Sequence, residues 1–140
     1  MVHTAYIECD TSGNADMHDL TNQVQGRITE FGLEEGVVTI FTPSSTSALT
    51  TIEFESGALE DLRRALDTIA PPQAEYRHNL RWRDGNGHSH LRAAIMGPSL
   101  SIPVVNGTLI LGTWQQILFI DFDNRSRHRK LIVQMVGDGV

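Results

Sequence analysis

The stretch Ser101-Ile102-Pro103-Val104-Val105-Asn106-Gly107-Thr108-Leu109-Ile110-Leu111 predicts a β-hairpin. Its two apolar segments flank Asn106-Gly107, and both residues of this pair tolerate the positive φ angles that a two-residue hairpin turn requires. A second pair of strands is predicted further along the chain, at Gln115 to Phe122 and Lys130 to Val136. The C-terminal third of the chain should therefore consist mainly of paired strands.

The N-terminal half places helices among further strands. Val2 to Glu8 and the β-branched run Gly36 to Phe41 are predicted strands. Asn14-Ala15-Asp16 supplies polar residues typical of a helix start, and Gly32 is expected to end that helix. Apolar residues recur between these two points at the spacing of one helix face: Met17, Leu20, Val24, Ile28 and Phe31.

A second helix is predicted from Leu59 to Ile69, because Pro71-Pro72 cannot continue a helical backbone. Ala48 to Glu53 is compatible with a strand or a short helical turn. Ser89 could cap a short helix from His90 to Met96, with Gly97 as its terminator. Early helices, late paired strands and no regular βαβ alternation indicate an α+β fold with a mixed, largely antiparallel sheet, two main helices and one short helix.

Composition favours one soluble domain over residues 1–140. The chain is 40% hydrophobic and 20% charged, which is ordinary for a globular protein. The net charge of −6 argues against nucleic-acid binding, which needs a basic surface. No apolar run is long enough for a membrane span, and the N-terminus does not resemble a signal peptide. The single cysteine, Cys9, cannot form an internal disulfide, so we expect a cytoplasmic location.

Histidine is concentrated in one short segment, since His78, His88 and His90 are three of the six histidines in the chain. Imidazole is a common zinc ligand and also transfers protons near neutral pH. The interrupting sequence Asp84-Gly85-Asn86-Gly87 is typical of a loop. This segment is the leading candidate for a functional site.

The geometry of the segment leaves three interpretations open. Residues two apart on a regular helix point about 200° from one another, so His88 and His90 could share an ion only if one lies outside the helix. If Ser89 is the helix cap, His88 lies in the extended approach and the two side chains can converge. Three imidazoles and a water form an open metal site, with Glu53, Asp84 or Cys9 as a possible further ligand. The same histidines could instead act without metal as acid and base, or be structural residues beside a turn.

Three other groups of residues are candidates for binding or catalysis. Glu53 could be a general base or could orient a histidine, or simply be the solvated end of a strand. Ser44, Ser45 and Thr46 could donate hydrogen bonds to an anion or only satisfy a turn. The basic segment Arg125 to Lys130 could hold a phosphate or be a solvated hairpin tip.

Several motifs together resemble the YjbQ family of small bacterial and archaeal proteins. Leu111-Gly112-Thr113-Trp114-Gln115-Gln116-Ile117 and the preceding segment Ser99 to Gly107 carry most of the resemblance. The remaining matches extend it over nearly all of the chain from about Gly36 onward: Ser45 to Glu53, Tyr76-Arg77-His78, Asn86 to Leu91 and Asp121 to Arg125.

The resemblance implies a sandwich-like α+β fold, a homotrimer with sites near subunit boundaries, and a weak secondary thiamine-phosphate synthase activity. That reaction joins a hydroxymethylpyrimidine pyrophosphate to a thiazole phosphate and releases pyrophosphate. It needs metal or cationic groups to neutralise the leaving diphosphate, so the metal interpretation gains support. Zinc or magnesium is the expected ion, and no organic cofactor is expected.

The resulting hypothesis assigns a role to each candidate residue. The catalytic residues would be Glu53, His88 and His90, and the metal ligands would be His78, His88 and His90. A phosphorylated small molecule would be bound by Ser45, Thr46, Gln115 and Arg125, with Trp114 packed beneath the cleft. The alternatives are a non-catalytic trimer that binds metal or a phosphometabolite, and a metal-dependent phosphoester hydrolase.

One position departs from the family pattern. Many members carry Pro-His-Thr-Thr where this chain has Pro43-Ser44-Ser45-Thr46. If the missing histidine helps catalysis in its relatives, this chain would react more slowly, use another group, or bind without reacting.

Overall fold

The computed structural model describes residues 1–139, which form two antiparallel sheets and four helices. The larger sheet has five strands in the order β1 (Val2–Thr11), β8 (Arg127–Gly139), β3 (Leu33–Phe41), β5 (Ser99–Val105) and β6 (Thr108–Leu109). The smaller sheet has three strands in the order β2 (Asp16–Asp19), β7 (Gln116–Asp121) and β4 (Ser47–Ile52). All strand pairs in the described part of the chain are antiparallel.

The predicted hairpin at Asn106-Gly107 is confirmed. Val105 pairs with Thr108, and the two turn residues have φ angles of 50° and 71°. β6 is shorter than expected and ends at Leu109, so residues 110–115 form an irregular connection to β7. The asparagine–glycine pair thus fixes the register of this edge of the larger sheet.

The four helices are α1 (Thr21–Phe31), α2 (Ser56–Ile69), α3 (Arg77–Trp82) and α4 (Gly87–Met96). The α+β class is confirmed, while α3 is an additional helix that the periodicity did not indicate. Gly32 ends α1 with a φ angle of 84°, and Gly97 ends α4 with a φ angle of 97°, as predicted. The Glu55 carboxylate caps α2 by accepting hydrogen bonds from the backbone N–H groups of Gly57 and Ala58.

The prediction that α1 begins near Asn14 was wrong. Asn14 and Ala15 adopt positive φ angles of 54° and 66°, and Met17 lies in β2, where it pairs with Ile120. The Asp19 carboxylate accepts hydrogen bonds from the backbone N–H and the hydroxyl of Thr21, the first residue of α1. Strand pairing therefore overrides the helical spacing of Met17, and the helix starts after a local carboxylate contact.

Successive side chains of β7 point to opposite faces of the smaller sheet, so this strand contributes to two apolar clusters. Ile117 and Phe119 belong to an apolar cluster shared with α1 and the larger sheet. Ile120 and, just beyond the strand, Phe122 belong to a second cluster with Leu66 of α2 and Ala93 of α4. The smaller sheet therefore lies between the larger sheet on one side and α2 and α4 on the other.

The outer face of the larger sheet is apolar in part and exposed. One row across three strands contains Val2, Val136 and Val37, and a parallel row contains Tyr6, Ile132 and Phe41. All of these side chains except the partly buried Ile132 are exposed. None of the helices in residues 1–139 has the length and hydrophobicity needed to cross a bilayer.

Candidate functional site

The connection between α3 and α4 positions the histidine segment. The backbone N–H of Gly87 donates to Asn79 Oδ1 at 2.8 Å, which ties the start of α4 to α3. A Cβ atom at position 87 would lie only 2.5 Å from Tyr76 Cβ, so only glycine permits this close approach. The intervening loop is fixed from outside by Asn124 Nδ2, which donates to the Asp84 carbonyl at 2.7 Å.

The expected cap at Ser89 was wrong, and this separates His88 from His90. Asn86 is the residue that precedes the helix, so α4 already includes Gly87 and both histidines. Ser89 is buried, and its hydroxyl donates to the Phe122 carbonyl instead of capping the helix. Side chains two residues apart on a helix point about 200° from one another. His88 and His90 accordingly lie on different sides of α4.

His90 lies beside His78 at the mouth of a polar cavity of about 460 Å³. The two ring centroids are 4.2 Å apart with 38° between the ring planes. Asp84 Oδ1 is 3.4 Å from His78 Nδ1. The cavity is lined by three parts of the chain: Pro43, Ser44, Ser45 and Thr46; His78, Trp82, Asp84, Asn86 and His90; and Asp123, Arg127 and Arg129.

The side of the cavity that we call its floor consists of Asp123, Arg127 and Arg129, which form a buried network with Asp121. Asp121 and Asp123 are 0% and 1% exposed. Arg129 Nε and Nη2 donate to Asp121 at 2.7 and 2.9 Å. Arg127 donates to Asp123 through Nε at 2.9 Å, and its Nη2 lies 2.8 Å from the same carboxylate. Each buried charge therefore has an opposite charge in contact, which is required for its burial.

Thr46 connects the hydroxyl-rich loop to the same network. Its hydroxyl accepts a hydrogen bond from Arg129 Nη2 at 2.9 Å and donates to Asp123 Oδ2 at 3.2 Å. Ser44 Oγ accepts from the Thr46 backbone N–H at 3.1 Å, so the loop folds back over the cavity. Ser45 is exposed and also lines it. The predicted binding residues Ser45 and Thr46 thus lie beside His90, although the Thr46 hydroxyl is already engaged.

The protein environment lowers the pKa of two titratable groups of the cavity, His90 and Asp123. Burial, followed by the positive charge that His78 can carry, lowers the pKa of His90. Burial raises the pKa of Asp123, but hydrogen bonds from the Asn124 backbone and from Asn86 and Arg127 outweigh it, so its pKa lies below the usual value. At neutral pH the cavity therefore presents a neutral His90 imidazole above an ionised aspartate.

His88 lines a separate small chamber of about 90 Å³, together with Arg92, Asp67 and Phe122. It is 6% exposed, and its Nδ1 atom has no hydrogen-bond partner among residues 1–139. Burial, followed by the charge of Arg92, lowers its pKa. Arg92 itself is held by the Ala70 carbonyl at 3.0 Å and by Asp67 at 2.9 Å. His88 thus belongs to the packing between α4, α2 and Phe122.

The donor set does not match the expected three-histidine metal site. His78 and His90 are adjacent, but His88 lines another chamber. Among residues 1–139, no three His, Cys, Asp or Glu side chains form a group that could hold a metal ion. His78, His90 and Asp84 have suitable donor chemistry, but within residues 1–139 they are not arranged as a group that could hold an ion.

Glu53, Trp114 and Gln115 lie at the far end of the smaller sheet. β4 begins at Ser47 beside the cavity, and a six-residue strand spans roughly 20 Å. Gln115 donates to Thr51 Oγ1 at 3.1 Å, near the other end of β4, and accepts from the Gly112 N–H at 3.0 Å. Trp114 is 72% exposed, so the expectation that it packs beneath the cleft was wrong for the single chain.

The basic segment lines the cavity with residues other than the predicted Arg125. Arg125 is exposed, whereas Arg127 and Arg129 reach the cavity. β8 begins at Arg127, earlier than expected, and side chains two apart on a strand share a face. Asp121 ends β7, and Asp123 follows two residues later in a bend, where its backbone N–H donates to Asp121 Oδ1 at 3.1 Å. These paired spacings are visible in the sequence and could have indicated the network once the strand boundary was known.

The sequence and the fold are those of a known family. The sequence model of the family described as UPF0047 protein YjbQ-like matches residues 5–138. The chain belongs to this family. A UPF0047 protein of Methanothermobacter thermautotrophicus is 38% identical over 136 residues, covering 97% of this chain and 93% of the relative.

Two solved structures of similar proteins support the assignment to the YjbQ-like family. A YbjQ-like protein of unknown function from Sulfolobus solfataricus is similar with a TM-score of 0.89 and 29% identity, covering 99% of this chain and 100% of that one. A hypothetical protein from Aeropyrum pernix gives a TM-score of 0.90 at 32% identity, with 97% and 99% covered. The fold therefore agrees with that of both proteins over almost their full length.

Proposed function

We propose that the His78–His90 cavity binds a phosphorylated small molecule and exchanges protons with it. The observation that carries this proposal is the contact between two imidazoles at the mouth of a cavity whose floor holds Arg127 and Arg129. A neutral His90 can accept a proton at neutral pH, and an approaching phosphate would favour its charged form. Because His88 lies in the other chamber, the proposal gives the proton-transfer role to His78 and His90.

The buried network can hold a phosphate even though its own charges are balanced. Each guanidinium has five N–H donors, and the aspartates engage those on Nε and Nη2 of Arg127 and Arg129. Within residues 1–139 the Nη1 groups of both arginines have no partner, so their donors remain for a ligand oxygen. Asn86 is 6% exposed, and its Nδ2 atom donates to Asp123 at 3.3 Å. Its Oδ1 atom has no partner in residues 1–139 and can accept from a protonated phosphate oxygen.

The reaction we propose to test is the joining of a hydroxymethylpyrimidine pyrophosphate to a thiazole phosphate. The thiazole nitrogen forms a bond to the pyrimidine methylene carbon, and the bond from that carbon to the pyrophosphate oxygen breaks with both electrons leaving on oxygen. The arginine donors stabilise the charge that develops on the leaving group. His90, which takes up a proton from a substrate phosphate oxygen when the anionic substrate binds, then gives that proton to the released pyrophosphate.

The test is synthesis of thiamine phosphate by purified wild type, His78→Gln and His90→Gln. We expect each substitution to lower the rate at least tenfold, because each removes a proton-transferring group from the cavity. His128→Gln is the matched control, since His128 is an exposed histidine that pairs with Asp10 and Glu8 on β1. Equal rates in all four proteins would remove the histidine pair from the mechanism.

We further propose a cytoplasmic homotrimer in which Glu53 and Gln115 of one subunit complete the cavity of another. The support is the exposed apolar face of the larger sheet and the separation of Glu53 from the cavity within one chain. Mixing Glu53→Gln with His90→Gln subunits tests this directly. Subunit exchange should restore part of the activity that each variant lacks alone, whereas no recovery in mixed trimers of confirmed mass would contradict a shared site.

A metal-binding role is the second candidate, favoured by the adjacency of His78, His90 and Asp84. A neighbouring subunit would then have to supply a further ligand that completes the set. Metal analysis of untagged protein should give one zinc or magnesium ion per site, lost in His90→Gln and retained in His88→Gln. Stoichiometric metal without turnover would favour a binding protein, and metal-dependent hydrolysis of phosphoesters would favour the hydrolase.

A further inference from the structure

A second cavity of about 350 Å³ adjoins the first and differs from it in chemistry. It is lined by Ser44, Ser45, Ser47, His90, Ala93, Ala94 and Pro98. The polar cavity and this apolar cavity share Ser44, Ser45 and His90. The imidazole of His90 is thus part of the wall between a charged compartment and a mainly apolar one.

The sequence of α4 creates the apolar compartment. Ala93 and Ala94 follow His90 by three and four residues, so all three side chains lie on one face of the helix. Both alanines are small, and Pro98 just beyond the end of the helix adds a further apolar surface. Larger side chains at these positions would fill the space. The cavity volume falls within the range of about 300–1,000 Å³ that is usual for small-molecule sites.

We infer that the ligand is a phosphate ester of a small ring or short apolar group. The phosphate occupies the polar cavity above Arg127 and Arg129, and the apolar group occupies the compartment beside Ala93 and Ala94. The ester linkage then lies next to His90, which in its protonated form can donate a proton to the bridging oxygen. This inference rests on the proposed phosphate site and assigns the apolar part of its ligand to the adjoining cavity.

The two compartments make a specific prediction about affinity. Burying an aromatic ring removes apolar surface from water, at about 25 cal/mol per Å² before the costs of binding. Benzyl phosphate should therefore bind on the order of 10- to 100-fold more tightly than inorganic phosphate. Methyl phosphate, which has the ester linkage without the ring, should bind about as weakly as inorganic phosphate.

Calorimetric titration of the full chain with these three compounds tests the inference. Ala94→Leu places a larger side chain in the apolar compartment, and because Ala94 is exposed this change should not disturb folding. It should abolish the preference for benzyl phosphate while the affinity for inorganic phosphate stays within about twofold of wild type. Ala65→Leu, at an exposed alanine of α2, is the matched control and should behave as wild type.

Two outcomes would overturn the inference in different ways. Equal affinities of benzyl and inorganic phosphate, or an unchanged preference in Ala94→Leu, would show that the apolar compartment does not bind the ligand, while the phosphate site would stand. Failure of all three compounds to bind would remove the phosphate site and this inference with it.

Discussion

Each of two sides of α4 carries a histidine, and the two histidines lie in different surroundings. On one side, His90 lies in contact with His78, and both line a polar cavity that opens to solvent. On the other, His88 is packed with the nearly buried Arg92 beside Phe122 in a much smaller chamber. The pKa of each histidine is lowered, first by burial. Only His90 has space in front of it for a metabolite.

This difference shows that spacing in the sequence does not by itself define a site. Because an α-helix has 3.6 residues per turn, the side chains of two histidines two positions apart point about 200° from one another. Asp123 and Arg129 are more distant from His90 in the sequence, yet they line the same cavity as His90, whereas His88 does not. Arg129 shares one face of β8 with Arg127, and Asp123 lies just beyond the end of β7, whereas the helix period separates the two histidines.

The largest stability effect should come from the cavity floor. Asp121→Ala removes both short hydrogen bonds from the Arg129 guanidinium to a carboxylate, leaves it only the longer contact of 3.7 Å to Asp123, and removes an acceptor of the Thr11 hydroxyl. We expect the free energy of unfolding to fall by about 3–5 kcal/mol, which is typical of breaking a buried ion pair. Urea denaturation measures this change.

Asp61→Ala is the control for that experiment, because Asp61 forms an exposed pair with Arg64 on α2. It should change the free energy of unfolding by no more than about 1 kcal/mol. If the two aspartate variants lose the same stability, the cavity floor is not a tightly coupled network.

A smaller stability effect should distinguish the two histidines. His88→Ala leaves a void beside Phe122 and should lower the free energy of unfolding by about 1–3 kcal/mol, whereas His90→Ala, at the open cavity, should cost less than about 1 kcal/mol. Chemical denaturation of both variants under one set of conditions checks the order. A larger loss in His90→Ala would reverse the roles of the two sides of the helix.

The smallest effect is on the pH dependence of stability. The pKa of His88 is lowered in the folded state from its usual value of 6.5. The unfolded chain therefore binds a proton first as pH falls, so stability is complete above about pH 6.5 and decreases below it until the folded-state pKa is reached. His88→Gln should lose less stability than wild type between pH 7.5 and 5.5. A steeper loss in the variant would contradict this sign.

The class of the fold and most of its elements follow from local sequence patterns. Asn106-Gly107 specifies its turn, and Gly32 and Gly97 end helices where predicted, because each depends on backbone conformation at one or two residues. The start of α1 does not follow in this way. Met17 fits a helix face equally well, and only pairing with a distant strand, at Ile120, selects the extended form.

The candidate site was predictable in part for a similar reason. The histidine segment and the hydroxyl loop were identified from residue type, and the structure brings His78, His90, Ser45 and Thr46 to one cavity. The helix boundary at Gly87 was not predicted from the sequence, because it depends on the close approach of Tyr76 to a residue without a side chain. That single boundary decides on which side of α4 His88 lies.

Imidazole NMR signals during titration with inorganic phosphate test the central claim most directly. If His78 and His90 form one site and His88 belongs to the packing on the other side of α4, the first two should shift together with one apparent Kd while the His88 signals stay in place. Coordinated shifts of all three histidines, or shifts of His88 alone, would contradict the account.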